Sequence, residues 1–204
     1  MRTTRDAIDR SESVGREPLW VESSDQKDAA RALEMLHVQL ISAVIDPYSW
    51  KWVIVILHHT VQGFVIASLA DHDPGSGESA AAHPALSVHY RDPARYREAR
   101  SDYLPPLYER MKELTGFQPA PEVDRDLARM IECRDAFIQA VPSTWKLRVN
   151  ELPRASQNCL RIVEFLGWSP GHIRWQRENL VDLARVKFLA SMKVLDALEA
   201  QYQS

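Results

Sequence analysis

The stretch Trp50–Leu69, WKWVIVILHHTVQGFVIASL, decides how the chain must be read. It approaches the length that crosses a bilayer, about 20 residues, and carries aromatic side chains at its first end. Lys51, His58, His59, Thr60 and Gln62 interrupt it, however, and several fall at mid-span, where polar groups are costly in hydrocarbon. A helix enclosed on most sides by other helices meets the same composition without that cost. The stretch therefore predicts the central helix of a bundle, with no membrane involved.

Working outward, the segment before it carries Ala29, Leu33, Leu36, Leu40 and Val44 at spacings of three and four, one apolar stripe on a helix from about Asp25 to Ile45. Ser23, Ser24 or Asp25 supplies its cap, and Asp46-Pro47 breaks it, with Pro47 suited to the first turn of the next helix. After Leu69 the composition changes. DHDPGSGESAAAHP and RDPARYREARSD predict a mobile surface loop over 71–101. Further helical patterns cover Tyr103–Leu114, stopped near Gly116, and Val123–Gln139, ended by Pro142. Two more follow, Leu152–Leu166 with Gly167 in the stop position and Arg177–Gln201, the latter placing Leu180, Ala184, Phe188, Leu195 and Leu198 on one side. Residues 1–24 lack periodicity and read as a flexible arm. The prediction is one all-α domain over 25–204, a bundle of five to six helices with a long loop between the second and third.

The 204 residues are 45% hydrophobic and 26% charged, enough for a sizeable core, and the net charge of -3 argues against a surface built throughout for phosphate backbones. The N-terminal MRTTRDAIDRSESVGRE is charged where an export signal needs an apolar run, so a cytoplasmic protein is expected. Cys133 and Cys159 sit inside helical patterns, and no cysteine or histidine cluster has zinc spacing. His72, His83 and His89 lack helical spacing and paired carboxylates; neither a metal site nor a cofactor is expected. Phosphate-cradling GxxxxGK[ST], dinucleotide GxGxxG and nucleophile-elbow GxSxG are all missing from the sequence.

One position stands out. At about 100° per residue, Leu127, Met130, Ile131 and Ile138 share one side of the helix from Val123, and Arg134 falls in the middle of that side. A guanidinium on an apolar face needs a partner, a cleft or a subunit interface, because burying it unpaired is very costly. A buried acid, helix-end carbonyls, or a stem that carries the charge out to water would each satisfy it.

Around this position MIECRDAFIQAVPSTW resembles the signature region of HEPN-domain proteins, helical bundles of bacterial toxin and defence systems. Their pattern is Arg, four to six residues, then His, often with a polar residue directly after the Arg. Arg134 matches the Arg and Asp135 the polar residue, while Gln139 stands at the shortest His spacing and Ala140 and Val141 at the longer ones. The helix WKWVIVILHHTVQGF is also similar to a long apolar helix of a HEPN-like branch. The resemblance implies a HEPN-like bundle, a homodimer, and metal-free RNA cleavage in which His moves protons while Arg stabilises phosphate charge. Gln139 keeps a hydrogen bond but not that protonation chemistry. The implied protein therefore has a degenerate ribonuclease site and acts by binding RNA or an antitoxin-like partner protein.

Two alternatives stand beside this reading. His58 and His59, adjacent on the central helix, point about 100° apart, and an inward one near Arg134 would restore an active metal-independent ribonuclease. The other alternative is a helical scaffold with no nucleic-acid role, Arg134 being an internal ion pair. Arg31 and His37 match the signature spacing by chance within the first helix, with no polar residue after Arg31. The run RDPARYREAR reads as a solvated face, and Trp145, Trp168 and Trp175 as seals at helix ends.

Overall fold

The structure is a computed structural model that describes residues 23–72, 104–138 and 144–203. These form six α-helices: α1 (Asp25–Ile45), α2 (Trp50–His72), α3 (Leu104–Thr115), α4 (Pro121–Ile138), α5 (Leu152–Trp168) and α6 (Glu178–Gln203). A 3-10 turn, Pro47–Ser49, links α1 to α2, and no strand occurs among the described residues. The expected all-helical bundle is observed. Most of the expected 71–101 loop lies outside the described residues, as do residues 1–22 of the arm and Gln139.

Local chemistry sets the boundaries. Ser24 caps α1, its side chain accepting from the Lys27 amide. Asp46 does the same for the 3-10 turn through the Tyr48 amide at 2.9 Å, with Pro47 in the first position, where a missing N–H costs nothing. Gly116 ends α3 at φ 68°, a left-handed conformation that side chains with a Cβ resist.

The predicted central helix is central. α2 packs against α1, α3, α4 and α5. Trp50, Val53, Ile54, Leu57, Val61, Phe64 and Val65 are all enclosed. The segment Pro47–His72 is long and apolar enough to span a membrane by composition, yet 61% of its most apolar window is buried inside the bundle. Phe64 anchors one end between Trp168, at 6.1 Å between ring centroids, and Trp175, at 6.0 Å. At the other end the Trp50 indole N–H donates to the Tyr202 hydroxyl at 3.0 Å, tying the start of α2 to the end of α6.

Four details depart from the sequence reading. Gly167 does not stop α5, which runs on to Trp168; a Cβ there would come within 2.9 Å of the Phe64 ring, so the position needs close approach rather than a chain reversal. Val44, assigned to the buried stripe of α1, is exposed, because in the last turn it is Ala43 that faces the core while Val44 falls on the outer side with Ile41 and Ile45. Ile138 likewise leaves the buried side of α4, which ends after Ile131. His72 belongs to the last turn of α2 rather than to a loop, its Nδ1–H donating to the Ser68 carbonyl at 2.9 Å and its ring stacked on His172.

Candidate functional site

α4 crosses α2 so that Arg134 and Asp135 approach the middle of the central helix. Arg134 donates to the Asp135 carboxylate at 2.8 Å, and about a third of each side chain remains open to solvent. The guanidinium on an apolar face is thus reconciled by its immediate neighbour, not by a distant buried acid. The polar residue after the Arg is the feature that makes this possible.

His58 and His59 part company as their 100° separation requires. His59 turns outward and meets Asp28 of α1 at 3.2 Å, away from Arg134. His58 turns inward, is only 5% exposed, and stands within electrostatic reach of Arg134 and Asp135. Burial first, and then the Arg134 guanidinium, hold its imidazole down at about 4, while Asp135 pulls the other way. At neutral pH the ring is uncharged. Its Nε2 is fully enclosed and makes no hydrogen bond. The structure therefore brings together Arg134, Asp135 and His58, leaves His59 apart, and places Gln139 outside the described residues.

The other signature-like pair dissolves. Arg31 is ion-paired with Glu34, while His37 faces Lys187 of α6, and burial and that cation lower its pKa.

Sequence reasoning missed what surrounds the site. Phe137 lies one turn beyond Arg134 on α4, and Lys51 lies two turns before His58 on the same side of α2. The Lys51 ammonium stands over the Phe137 ring at 5.8 Å and over Trp52 at 5.3 Å. Trp145 closes on Phe137 at 5.2 Å and on Tyr48 at 5.7 Å. Tyr48, Trp52 and Trp145 are about half exposed, so Trp145 does not seal the bundle as Trp168 and Trp175 do. The spacing Lys51–His58, seven residues on one helix, was a usable signal; the contacts of Trp145 were not, because they depend on how the segment after α4 returns. Lys51 and Lys146 form no ion pair among the described residues.

A buried polar pair was also missed. Asn158 of α5 donates to the enclosed Asp126 carboxylate of α4 at 2.7 Å, and Arg125 binds its other oxygen at 3.2 Å. This pair fixes α4 against α5 and so fixes the height of Arg134 beside α2. No group of three or more metal-ligating side chains occurs among the described residues. Both cysteines are free; Cys159 is buried and its thiol pushed up by burial, whereas Cys133 is half-buried.

What the arrangement can do chemically is limited by access. The Arg134 guanidinium and the Lys51 ammonium, beside exposed aromatic faces, can hold an anionic, ring-bearing ligand. The His58 imidazole beside that guanidinium is sealed and weakly basic, so it cannot exchange a proton with a ligand outside. Comparison with protein-family models, with curated proteins and with solved structures finds no match for this chain.

Proposed function

We propose that the chain is a HEPN-like cytoplasmic protein whose ribonuclease site is degenerate and which holds single-stranded RNA without cleaving it. The observation that carries this reading is the enclosure of the His58 Nε2 beside a part-exposed Arg134. The anion-holding half of the site reaches solvent; the proton-moving half does not. Lys51, Trp52 and Trp145 extend the exposed half with a cation and stacking faces, which recognise the phosphates and bases of a flexible strand.

The active-nuclease alternative keeps one observation in its favour, the placement of His58 against Arg134 and Asp135. It requires an opening of α4 from α2 that exposes the ring nitrogen.

The test is a mixed single-stranded RNA pool incubated with purified protein and chelator, reading binding by anisotropy and integrity on a gel. Intact RNA, bound in a strongly salt-dependent manner and about tenfold more weakly by Arg134→Ala, is expected. Metal-free cleavage lost in both Arg134→Ala and His58→Ala would transfer the assignment to the active ribonuclease. No binding by a folded protein at low salt would leave the scaffold reading in its place.

A further inference from the structure

A second groove, bordered by α4, the first turn of α5 and the last turns of α6, differs in kind from the site around Phe137. It encloses about 410 Å³, within the roughly 300–1,000 Å³ of small-molecule pockets. Ala155 is its single aliphatic wall residue; guanidinium, carboxylate and amide groups make up the rest, with the Tyr202 ring. Arg125 and Arg129 stand one turn apart on α4, about 40° from each other around its axis, and Arg154 of α5 joins them in the wall. Arg134 lies five residues beyond Arg129, about 140° further round, and so serves another side of the same helix.

The ion pairs in this groove leave most donors unused. Arg125 binds Asp126 through Nε at 3.2 Å, Arg129 binds Glu151 through one terminal nitrogen at 2.7 Å, and Arg154 stands 3.6 Å from Glu199. Each contact engages one nitrogen of a group whose N–H donors are spread over all of its nitrogens. The side chains of Arg125 and Arg154 remain 72% and 76% exposed, and ion pairs so open to water hold weakly. Glu151 is shared with Arg148 at 3.4 Å. Four guanidiniums thus meet three carboxylates, a local positive excess in a chain whose net charge is -3.

That excess favours an anion, and the planar fork of each guanidinium matches the paired oxygens of a phosphate. The carboxylates decide what else the ligand carries. Glu151 and Glu199 line the same groove and accept hydrogen bonds without donating any, so they repel a bare polyanion and hold hydroxyl groups.

We propose that this groove binds a small phosphate monoester rich in hydroxyls, of the sugar-phosphate class, with its phosphate among Arg125, Arg129 and Arg154 and its hydroxyls on Glu151 and Glu199. An RNA strand finds one ring to stack on here, Tyr202, whose hydroxyl is already engaged by the Trp50 indole at 3.0 Å. The inference does not rest on the RNA reading.

The experiment is isothermal titration calorimetry of the full chain with ribose 5-phosphate at low ionic strength. Binding with a Kd below about 1 mM is expected, and added salt weakens it. Arg125→Gln and Arg154→Gln, both too exposed to disturb folding, each weaken it about tenfold. Arg134→Ala leaves it unchanged. Inorganic phosphate and ribose each bind about tenfold more weakly than the ester, since each satisfies one half of the groove. Absence of binding at millimolar ribose 5-phosphate overturns the proposal, as does binding that both arginine variants leave intact. Inorganic phosphate that binds as tightly as the ester also overturns it, reducing the groove to a plain anion site. Loss of single-stranded RNA binding in Arg154→Gln, with ribose 5-phosphate ignored by the wild type, overturns it in favour of an RNA strand.

Discussion

α1 and α2 lie side by side, and their apolar residues meet different fates. α2 is apolar nearly all round, and four helices enclose it, down to His58, Thr60 and Ser68. α1 has a true amphipathic stripe, and that stripe is buried through Ala29, Leu33, Leu36 and Leu40. Yet α1 keeps a second apolar set, Met35 to Ile45, exposed on the side where no described helix packs. The difference teaches that burial follows the number of neighbours a helix acquires, not its own hydrophobicity. Thr60 illustrates the consequence: enclosed, its hydroxyl has to turn back to the Ile56 carbonyl at 2.8 Å.

The contrast can be broken most severely on α2. Phe64→Ala removes a fully buried ring between Trp168 and Trp175 and is expected to cost about 3–5 kcal/mol in chemical denaturation, since aromatic neighbours cannot collapse fully into the space. A loss below 1 kcal/mol would mean that α2 is not the centre of the core.

The next largest effect is tied to His58. Its folded pKa of about 4 lies below the ordinary 6.5, so the unfolded chain takes up the proton first. Stability is therefore full above about pH 6.5 and declines as pH falls, levelling below about 4, by roughly 3 kcal/mol in all. His37 and His172 shift in the same direction, so the measurement is the difference between wild type and His58→Leu across that window. Identical slopes for the two proteins would show that the ring is solvated and would reopen the site to proton transfer.

The smallest effect sharpens the other side of the comparison. Val38→Ser on the outer face of α1 should change stability in chemical denaturation by no more than about 0.5 kcal/mol. A larger loss would mean that this face is covered by the chain itself.

The site was legible only in its parts. Arg134 announced itself as a charge on an apolar side, and Asp135 as the polar residue that follows it. That one of two adjacent histidines would face inward followed from helical geometry, but which one did not, because rotating α2 by one residue exchanges them. The 3.2 Å contact of His59 with Asp28 belongs to the packing of α1, and the enclosure of His58 to the crossing of α4. Trp145 shows the limit from the other direction: a tryptophan at a helix end reads as a seal, and only the neighbourhood of Tyr48, Phe137 and Lys51 makes it an exposed face of the site.

By itself, the sequence determined the helical class, nearly every helix and the identity of the central one. These depend on periodicity, caps and breakers acting within a few residues of one another, and such local terms survive whatever the chain does elsewhere. Tertiary structure alone decided which apolar sides were covered, that Gly167 would admit the Phe64 ring rather than end a helix, and that Arg134 would stand open beside a closed His58. Those outcomes rest on the height and angle at which helices distant in sequence meet, set by contacts such as Asp126–Asn158 and Trp50–Tyr202, which no local pattern specifies.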